Sequence, residues 1–207
     1  MTLNELYKKL FNEDSKLTDQ EFIDIVEANY DVVQNTISPQ TQGELETLTR
    51  IIADFGLCLV TREAYLKAIK QIDKAIELFK ENEELKNKDL YKVQFFETLV
   101  FNKGVAFYYL NQFDKSTSSF KSLLSKFPDN NKYQNWLVAS KNHRRQKLSN
   151  YLWYPVFVFI IIRAIFDKAQ LGKLYNISLT IGIICVISAL SISLKVYLDK
   201  KKIKNGG

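Results

Sequence analysis

An uncharged run near the C-terminal end constrains the fold of this chain more than any other feature. From Leu174 to Leu194 the sequence reads LYNISLTIGIICVISALSISL, which is 21 residues without Asp, Glu, Lys or Arg. The hydrocarbon core of a bilayer is about 30 Å thick and takes about 20 residues of α-helix. The run therefore predicts a transmembrane helix. The alternative is a buried helix of a soluble protein, although such helices are rarely apolar on every face.

A second and shorter apolar run, Tyr151 to Phe166, precedes the first one. It is interrupted by Arg163, whose long side chain can reach the membrane surface beside Asp167. Trp153 lies at its other end, where aromatic side chains favour the membrane interface, and Pro155 is predicted to fall in the first helical turn. This run predicts a second span, with a re-entrant or interfacial helix as the alternative.

The charge distribution predicts how a hairpin of two spans, residues 149–198, is oriented in the membrane. Residues 1–140 contain 17 Lys+Arg and 21 Asp+Glu, whereas residues 141–207 contain 12 and 2. Most of the C-terminal positive charge precedes the hairpin or lies in the tail, residues 199–207, and little of it lies in the turn at 167–173. Because positively charged flanks stay in the cytoplasm, both termini are predicted to lie there.

A cluster of basic residues directly precedes the first predicted span. Its members are Lys141, Arg144, Arg145 and Lys147. They favour the cytoplasmic topology and can also dock on anionic lipid headgroups. The chain opens with the polar segment MTLNELYKKLFNEDS rather than with the pattern of a signal peptide. Together with a composition rich in Lys, Asn and Ile, these features predict a two-pass protein of a bacterial inner membrane.

The first two-thirds of the chain has the pattern of an all-α domain. Only seven glycines and three prolines occur in the whole sequence, so long stretches carry no helix breaker. Apolar residues recur at helical spacing after Thr18, which forms the pattern of a capping box with Glu21. The periodicity breaks before Glu44, where the next helix is predicted to begin. Residues 1–43 are thus predicted to form a helix pair, and residues 44–146 a helical domain.

Two segments of residues 44–146 resemble the tetratricopeptide repeat, a helix–turn–helix unit. The residues that carry the resemblance are Gly104, Phe107, Ser116, Phe120 and Pro128 in one copy, and Gly56, Leu59, Ala68, Ile72 and Ala75 in a weaker copy. Lys103 stands where the family usually has leucine. The copies lie 48 residues apart rather than the usual 34, and the extra residues fall at Glu81–Asp89. The resemblance implies a helical-repeat domain, and an unrelated helical bundle is the alternative. Together with the two apolar runs, it predicts an all-α chain in which a tetratricopeptide-like domain is followed by two transmembrane helices.

The resemblance also implies a protein-binding groove, which the first helix of each repeat lines. Its residues in this chain are Arg50, Ala53, Leu57 and Val60 from one copy and Thr98, Phe101, Val105 and Tyr108 from the other. Phe101 and Tyr108 are the expected anchors. The family's clamp for a C-terminal carboxylate uses Lys and Asn where this chain has Ala53 and Leu57, so no such clamp is expected. In the alternative, residues 1–43 or a neighbouring helix cover the groove.

The residue types that carry catalysis or ligand chemistry are sparse in this sequence. His143 is the single histidine, and no pattern of metal ligands accompanies it. Cys58 is expected to be a reduced core residue and Cys185 falls within a predicted span. No glycine-rich phosphate loop occurs. We therefore expect no enzymatic activity, no cofactor, no metal, no small-molecule substrate and no nucleic-acid partner.

Two classes of function remain. In the first, the chain is a membrane-anchored scaffold or adaptor whose repeat domain holds a protein partner at the cytoplasmic face. In the second, it is an accessory subunit of a larger membrane complex, such as a transport or secretion apparatus, and assembles through its hairpin. The expected partners are proteins and membrane lipids in both cases.

Overall fold

The computed structural model of the chain describes residues 1–12, 16–36, 39, 41–82, 85, 89–165 and 172–205. These residues form helices and turns, and no β-strand occurs among them, so the predicted all-α class is confirmed. The helices are α1 (Leu3–Leu10), α2 (Asp19–Ala28), α3 (Tyr30–Asn35), α4 (Gln42–Thr61), α5 (Tyr65–Glu81), a 3₁₀ helix (Leu90–Lys92), α6 (Gln94–Tyr109), α7 (Phe113–Lys126), α8 (Asn131–Ile165) and α9 (Lys173–Asn205). The chain divides into two compact units, Met1–Trp136 and Leu137–Gly207.

Threonine side chains begin several helices of the first unit. The Thr18 hydroxyl accepts a hydrogen bond from the Glu21 backbone N–H at 3.3 Å, and the Glu21 carboxylate accepts one from the Thr18 N–H at 2.9 Å. The predicted capping box is therefore confirmed. Thr41 caps α4 in the same way through its hydroxyl, so α4 begins two residues before the predicted Glu44. Each such cap stabilises its helix by about 1 kcal/mol.

The helices of residues 1–43 pack on α4. Leu6 of α1 and Val26 of α2 are completely buried in one hydrophobic core with Ile52 and Phe55 of α4. A third helix, α3, follows the two predicted ones, because the Asn29 side chain donates to the backbone carbonyl of Ile25 at 2.8 Å and ends α2. The N-terminal helices thus share a core with α4 instead of forming a separate layer.

The first unit contains two helical hairpins, α4–α5 and α6–α7. Within each hairpin, an equivalent turn connects the two helices. Glu63 and Asn111 both have positive φ, at 60° and 58°, and their residue numbers differ by 48. The hydrogen bonds that close the turns correspond as well: Ala64 N–H to Leu59 O and Gln112 N–H to Phe107 O, both 2.9 Å. The two copies that lie 48 residues apart in the sequence therefore correspond to two hairpins whose turns have the same local structure.

Glycine permits the close approach of the helices within each hairpin. A Cβ atom on Gly56 would lie 2.8 Å from Cγ1 of Ile72, and one on Gly104 would lie 2.9 Å from Cζ of Phe120. The Ser116 hydroxyl donates to the Gly104 carbonyl at 2.9 Å, across the α6–α7 interface. Small residues therefore let both helix pairs pack closely, as their positions in the sequence predict.

Replacement of Gly56 by alanine is expected to destabilise the protein by about 1–3 kcal/mol, because the new methyl group overpacks against Ile72. Gly43 in the first turn of α4 is a matched control, since no atom lies within 4 Å of a Cβ placed there. Gly43→Ala should be neutral or stabilise the helix by up to about 1 kcal/mol. Guanidinium unfolding of both variants measures the difference. Equal stabilities of the two variants would contradict the close approach at Gly56.

In the second unit, α8 and α9 pack against each other in opposite directions. The Arg145 guanidinium donates to the Asp199 carboxylate at 2.6 Å, and the Ser149 hydroxyl donates to the Ala189 backbone carbonyl at 3.3 Å. Arg145 precedes Ser149 along α8, whereas Asp199 follows Ala189 along α9. The two helices are therefore antiparallel. Because a side chain of α8 reaches a backbone carbonyl of α9, the two helices are in close contact.

The contact face of α8 and α9 repeats every seven residues. Its buried positions are Asn142 and Ser149 on α8, and Gly182, Ala189 and Val196 on α9. A seven-residue repeat keeps one stripe of each helix facing the other along its length. Most residues of this stripe are small or polar, whereas the core of a soluble helix pair is built from large apolar residues.

One segment of the described residues is long and apolar enough to cross a membrane. It is Leu179–Asp199, whose most apolar stretch of 18 residues has a mean hydropathy of 2.2 and is 17% buried. The other predicted span lies at the end of α8, but Phe166 falls outside the described residues, as do the Arg163 side chain, Asp167 and most of the connecting turn. The structure therefore supports one candidate span among the residues it describes.

Pro155 occupies a different position from the predicted one. It lies inside α8, which is continuous from Asn131 to Ile165, and not in the first turn of a separate helix. Proline has no backbone N–H, so the helical hydrogen bond to the carbonyl of Tyr151 cannot form. The helix nevertheless continues through this position.

Candidate functional site

The four predicted groove residues of α4 do not share one exposed surface. Ala53 is completely buried in the core that α4 forms with α1 and α2, and Val60 is also buried. Leu57 is half-buried, and Arg50 is exposed. Ala53 therefore fits the alternative in which the N-terminal helices cover the groove, because its side chain has no exposed surface for a partner to contact.

Arg50 connects three parts of the first unit. Its guanidinium lies 5.4 Å from the ring centroid of Phe11, after α1, and 4.6 Å from that of Phe95, in α6. It also pairs with Asp54 one turn along α4, at 2.6 Å. Burial raises the pKa of the Asp54 carboxyl above its usual value, although the hydrogen bond and charge of Arg50 lower it. Arg50 is therefore engaged within the fold by two cation–π contacts and an ion pair.

The α6 half of the predicted groove adjoins an aromatic cluster. Trp136 lies 6.1 Å from Phe101 and 5.2 Å from Tyr108, both edge to face, and so brings together the two predicted anchors. Val105 between them is buried, and Thr98 is half-buried. Phe101 and Tyr108 each keep part of their surface, but both have ring partners inside the protein.

A cleft of about 490 Å³ lies among α5, α6, α7 and the 3₁₀ helix, and we call it the lysine cleft. Its lining residues are Ile76, Lys80, Asp89, Leu90, Tyr91, Phe96, Val100, Lys103, Ser118, Ser119, Ser122 and Lys126. Three helices each contribute one lysine, and α7 adds three serine hydroxyls. No sequence pattern predicted this site. Its one available signal was Lys103, which departs from the leucine usual in the repeat.

Carboxylates hold two of the three lysines of the lysine cleft in place. Lys103 forms an ion pair with Asp73 of α5, and Lys126 pairs with Asp89 at 3.0 Å. The Lys126 amine also lies 5.8 Å from the ring centroid of Tyr91. Lys80 is exposed at the end of α5. The amines are thus presented at the wall of a cleft whose floor includes the buried Phe96 and Val100.

The basic cluster before the predicted membrane segment is divided between two environments. Arg144 and Lys147 are exposed, and Lys141 is half-buried. Arg145 is different, because its guanidinium donates to the Asn142 side chain at 3.1 Å as well as to Asp199 of α9. Arg145 therefore joins the two helices of the second unit.

The thiol of Cys58 is held in its protonated form. It donates to the Asp19 carboxylate at 3.6 Å, and burial, reinforced by the charge of Asp19, raises its pKa to about 12. A thiol needs to ionise before it acts as a nucleophile or metal ligand. Among the described residues, no group of three His, Cys, Asp or Glu side chains is arranged to hold a metal ion.

Cys58 is expected to react with iodoacetamide at pH 8 about a thousandfold more slowly in the folded protein than in guanidinium, because its pKa is raised by about three units. The measurement is alkylation followed by mass spectrometry in a Cys185→Ser background. The folded-state rate should rise with pH up to about 12. Rapid alkylation of the folded protein at pH 8 would contradict this environment for Cys58.

No protein family, curated protein or solved structure matches this chain.

Proposed function

We propose that this chain is a membrane-anchored adaptor, in which α8 and α9 form a two-pass hairpin and the Met1–Trp136 unit holds a protein partner in the cytoplasm. The observation that carries the proposal is the distribution of polarity on the α8–α9 pair. Its contact face is small and polar, whereas its outer face carries large apolar side chains. Lipid is the solvent in which that distribution is favourable.

Large apolar side chains cover the outside of the α8–α9 pair. Phe157 and Ile161 on α8 are 60% and 58% exposed, and Ile187 and Leu190 on α9 are 60% and 58% exposed. In water, exposure on this scale would be unfavourable by about 25 cal/mol for each Å² of apolar surface. A contiguous apolar surface of this kind is typical of contact with a membrane or another protein.

The proposed topology follows from the positive charge at both ends of the hairpin. Single cysteines at Lys9 and Gln170, placed in a Cys58→Ser, Cys185→Ser background, test it with a membrane-impermeant maleimide. Gln170→Cys should be labelled in intact cells, and Lys9→Cys only after permeabilisation. Labelling of Lys9→Cys in intact cells would exclude a cytoplasmic N-terminal unit, and equal protection of both positions would exclude the second span.

The adaptor role is supported by the repeated hairpins, which resemble tetratricopeptide repeats in the positions of their small residues. Arrays of that family present surfaces to other proteins. In this chain the α6 face with Phe101 and Tyr108 offers partly exposed aromatic side chains, and such residues are common binding anchors. Double substitution of these two residues by serine should reduce partner binding, provided that the variant protein remains folded by circular dichroism.

The second candidate function is an accessory subunit that assembles through its hairpin. The observation in its favour is an apolar groove of about 260 Å³ between α8 and α9, lined by Val156, Leu179, Gly182, Ile183, Val186 and Ile187. Another transmembrane helix could pack there. Co-purification from mild detergent, with full-length protein and residues 1–146 in parallel, separates the two functions. Partners retained by residues 1–146 support the adaptor, whereas partners found only with the full chain support the subunit.

A further inference from the structure

The lysine cleft lies on a different side of α6 from the two anchors of the predicted groove. An α-helix turns about 100° per residue, so Phe96, Val100 and Lys103 share one face of α6. Phe101 and Tyr108 lie about a third of a turn away from that face. A ligand in the lysine cleft would therefore contact surfaces of α5 and α7 that the predicted groove does not include.

The charge of the cleft contrasts with that of the surrounding domain. Residues 1–140 carry more acidic than basic residues, 21 against 17. The cleft nevertheless brings together the amines of Lys80, Lys103 and Lys126, of which Lys103 pairs with Asp73 and Lys126 with Asp89. The remaining positive charge, that of the exposed Lys80, favours an anionic ligand, and its effect is strongest in a concave site.

The shape and floor of the cleft favour a ligand that also has an apolar part. A volume of about 490 Å³ is within the usual range for ligand sites, about 300–1,000 Å³. Ile76, Phe96 and Val100 supply apolar surface, and Tyr91 forms part of the wall. A small inorganic anion would leave this surface uncovered. Carboxylates beside an aliphatic or aromatic side chain would match both the lysines and the floor.

We propose that the lysine cleft binds an acidic segment of a partner protein, with a carboxylate paired to Lys80 beside the ion-paired Lys103 and Lys126, and an apolar side chain on Phe96 and Val100. The Ser118 hydroxyl lines the same wall and can donate a hydrogen bond to a carboxylate, whereas the hydroxyls of Ser119 and Ser122 already donate to the backbone carbonyls of Lys115 and Ser119. This inference rests on the proposed adaptor function and names the surface and the chemistry of its partner. It adds to the α6 face with Phe101 and Tyr108 a second recognition surface, which α5, α6 and α7 form together.

The test uses full-length protein in lipid nanodiscs and a phage-displayed library of random twelve-residue peptides. Enriched peptides should be rich in Asp and Glu around one aromatic or aliphatic residue, and their binding should weaken at high salt. Lys80→Glu should weaken the best peptide at least tenfold, whereas Lys80→Arg should retain its binding. Lys121→Glu is the matched control, because Lys121 is an exposed lysine of α7 outside the cleft lining and the charge change is the same.

Several results would overturn the inference. They are an absence of enriched peptides, enrichment of peptides without acidic residues, and equal loss of binding in Lys80→Glu and Lys121→Glu. Binding of a poly-uridine RNA that Lys80→Glu abolishes would assign the cleft to nucleic acid instead. If the peptide experiment fails but maleimide labelling and partner co-purification give the expected results, only the inference about the lysine cleft is wrong and the adaptor function still holds. If the labelling and the co-purification fail, the adaptor function itself is wrong.

Discussion

Replacement of Phe120 by alanine is expected to destabilise the Met1–Trp136 unit by about 3–5 kcal/mol, the usual loss for a fully buried aromatic side chain. Phe120 of α7 is completely buried. Its ring stacks on Trp136 at a centroid distance of 5.7 Å and lies 5.8 Å from Phe101. It also fills the space that Gly104 leaves open on α6. Removal of the ring therefore leaves a cavity where α6, α7 and Trp136 meet.

The measurement for Phe120→Ala is guanidinium unfolding of the detergent-solubilised protein, followed by Trp136 fluorescence in a Trp153→Phe background. Leu66→Ala is the matched control, since Leu66 of α5 is 71% exposed and its truncation should change stability by less than about 0.5 kcal/mol. A Phe120→Ala variant as stable as Leu66→Ala would contradict the packing of α7 against Trp136.

Replacement of Ala189 by leucine should separate α8 from α9. Ala189 is buried, and its carbonyl accepts the hydrogen bond of Ser149 at 3.3 Å, so three added carbon atoms have no space at the contact face. Overpacking of this kind costs about 1–3 kcal/mol and occasionally more. Leu190→Ala changes the adjacent residue, which is 58% exposed, and should leave the helix contact intact.

Disulfide formation reports on the α8–α9 contact directly. The hydroxyls of Ser149 and Ser193 lie 3.4 Å apart, so cysteines at these two positions should oxidise readily in a Cys58→Ser, Cys185→Ser background. Ala189→Leu should slow this oxidation strongly, whereas Leu190→Ala should not. Oxidation at the same rate in both variants would mean that Ala189 does not set the helix spacing.

The candidate site was less accessible to sequence reasoning than the helices were. Ala53 fits the pattern of a groove residue, but its burial depends on α1 and α2, which are distant in sequence and carry no repeat signature. Arg50 likewise meets Phe11 and Phe95 through tertiary contacts. The lysine cleft joins side chains from positions 76 to 126, and no local motif relates them. Lys103 alone marked it, as a departure from the repeat pattern.

The sequence by itself determined the all-α class, the capping box at Thr18, the 48-residue spacing of two hairpins and the presence of a membrane-length apolar helix. These properties depend on local spacing: helical periodicity, side chains that cap their own helix, and the absence of charge over 21 residues. Only the tertiary structure decided which surface remains open. Burial of Ala53, the pairing of Arg145 with Asp199 and the assembly of the lysine cleft each join residues far apart in the chain, and such contacts exist only once the helices pack.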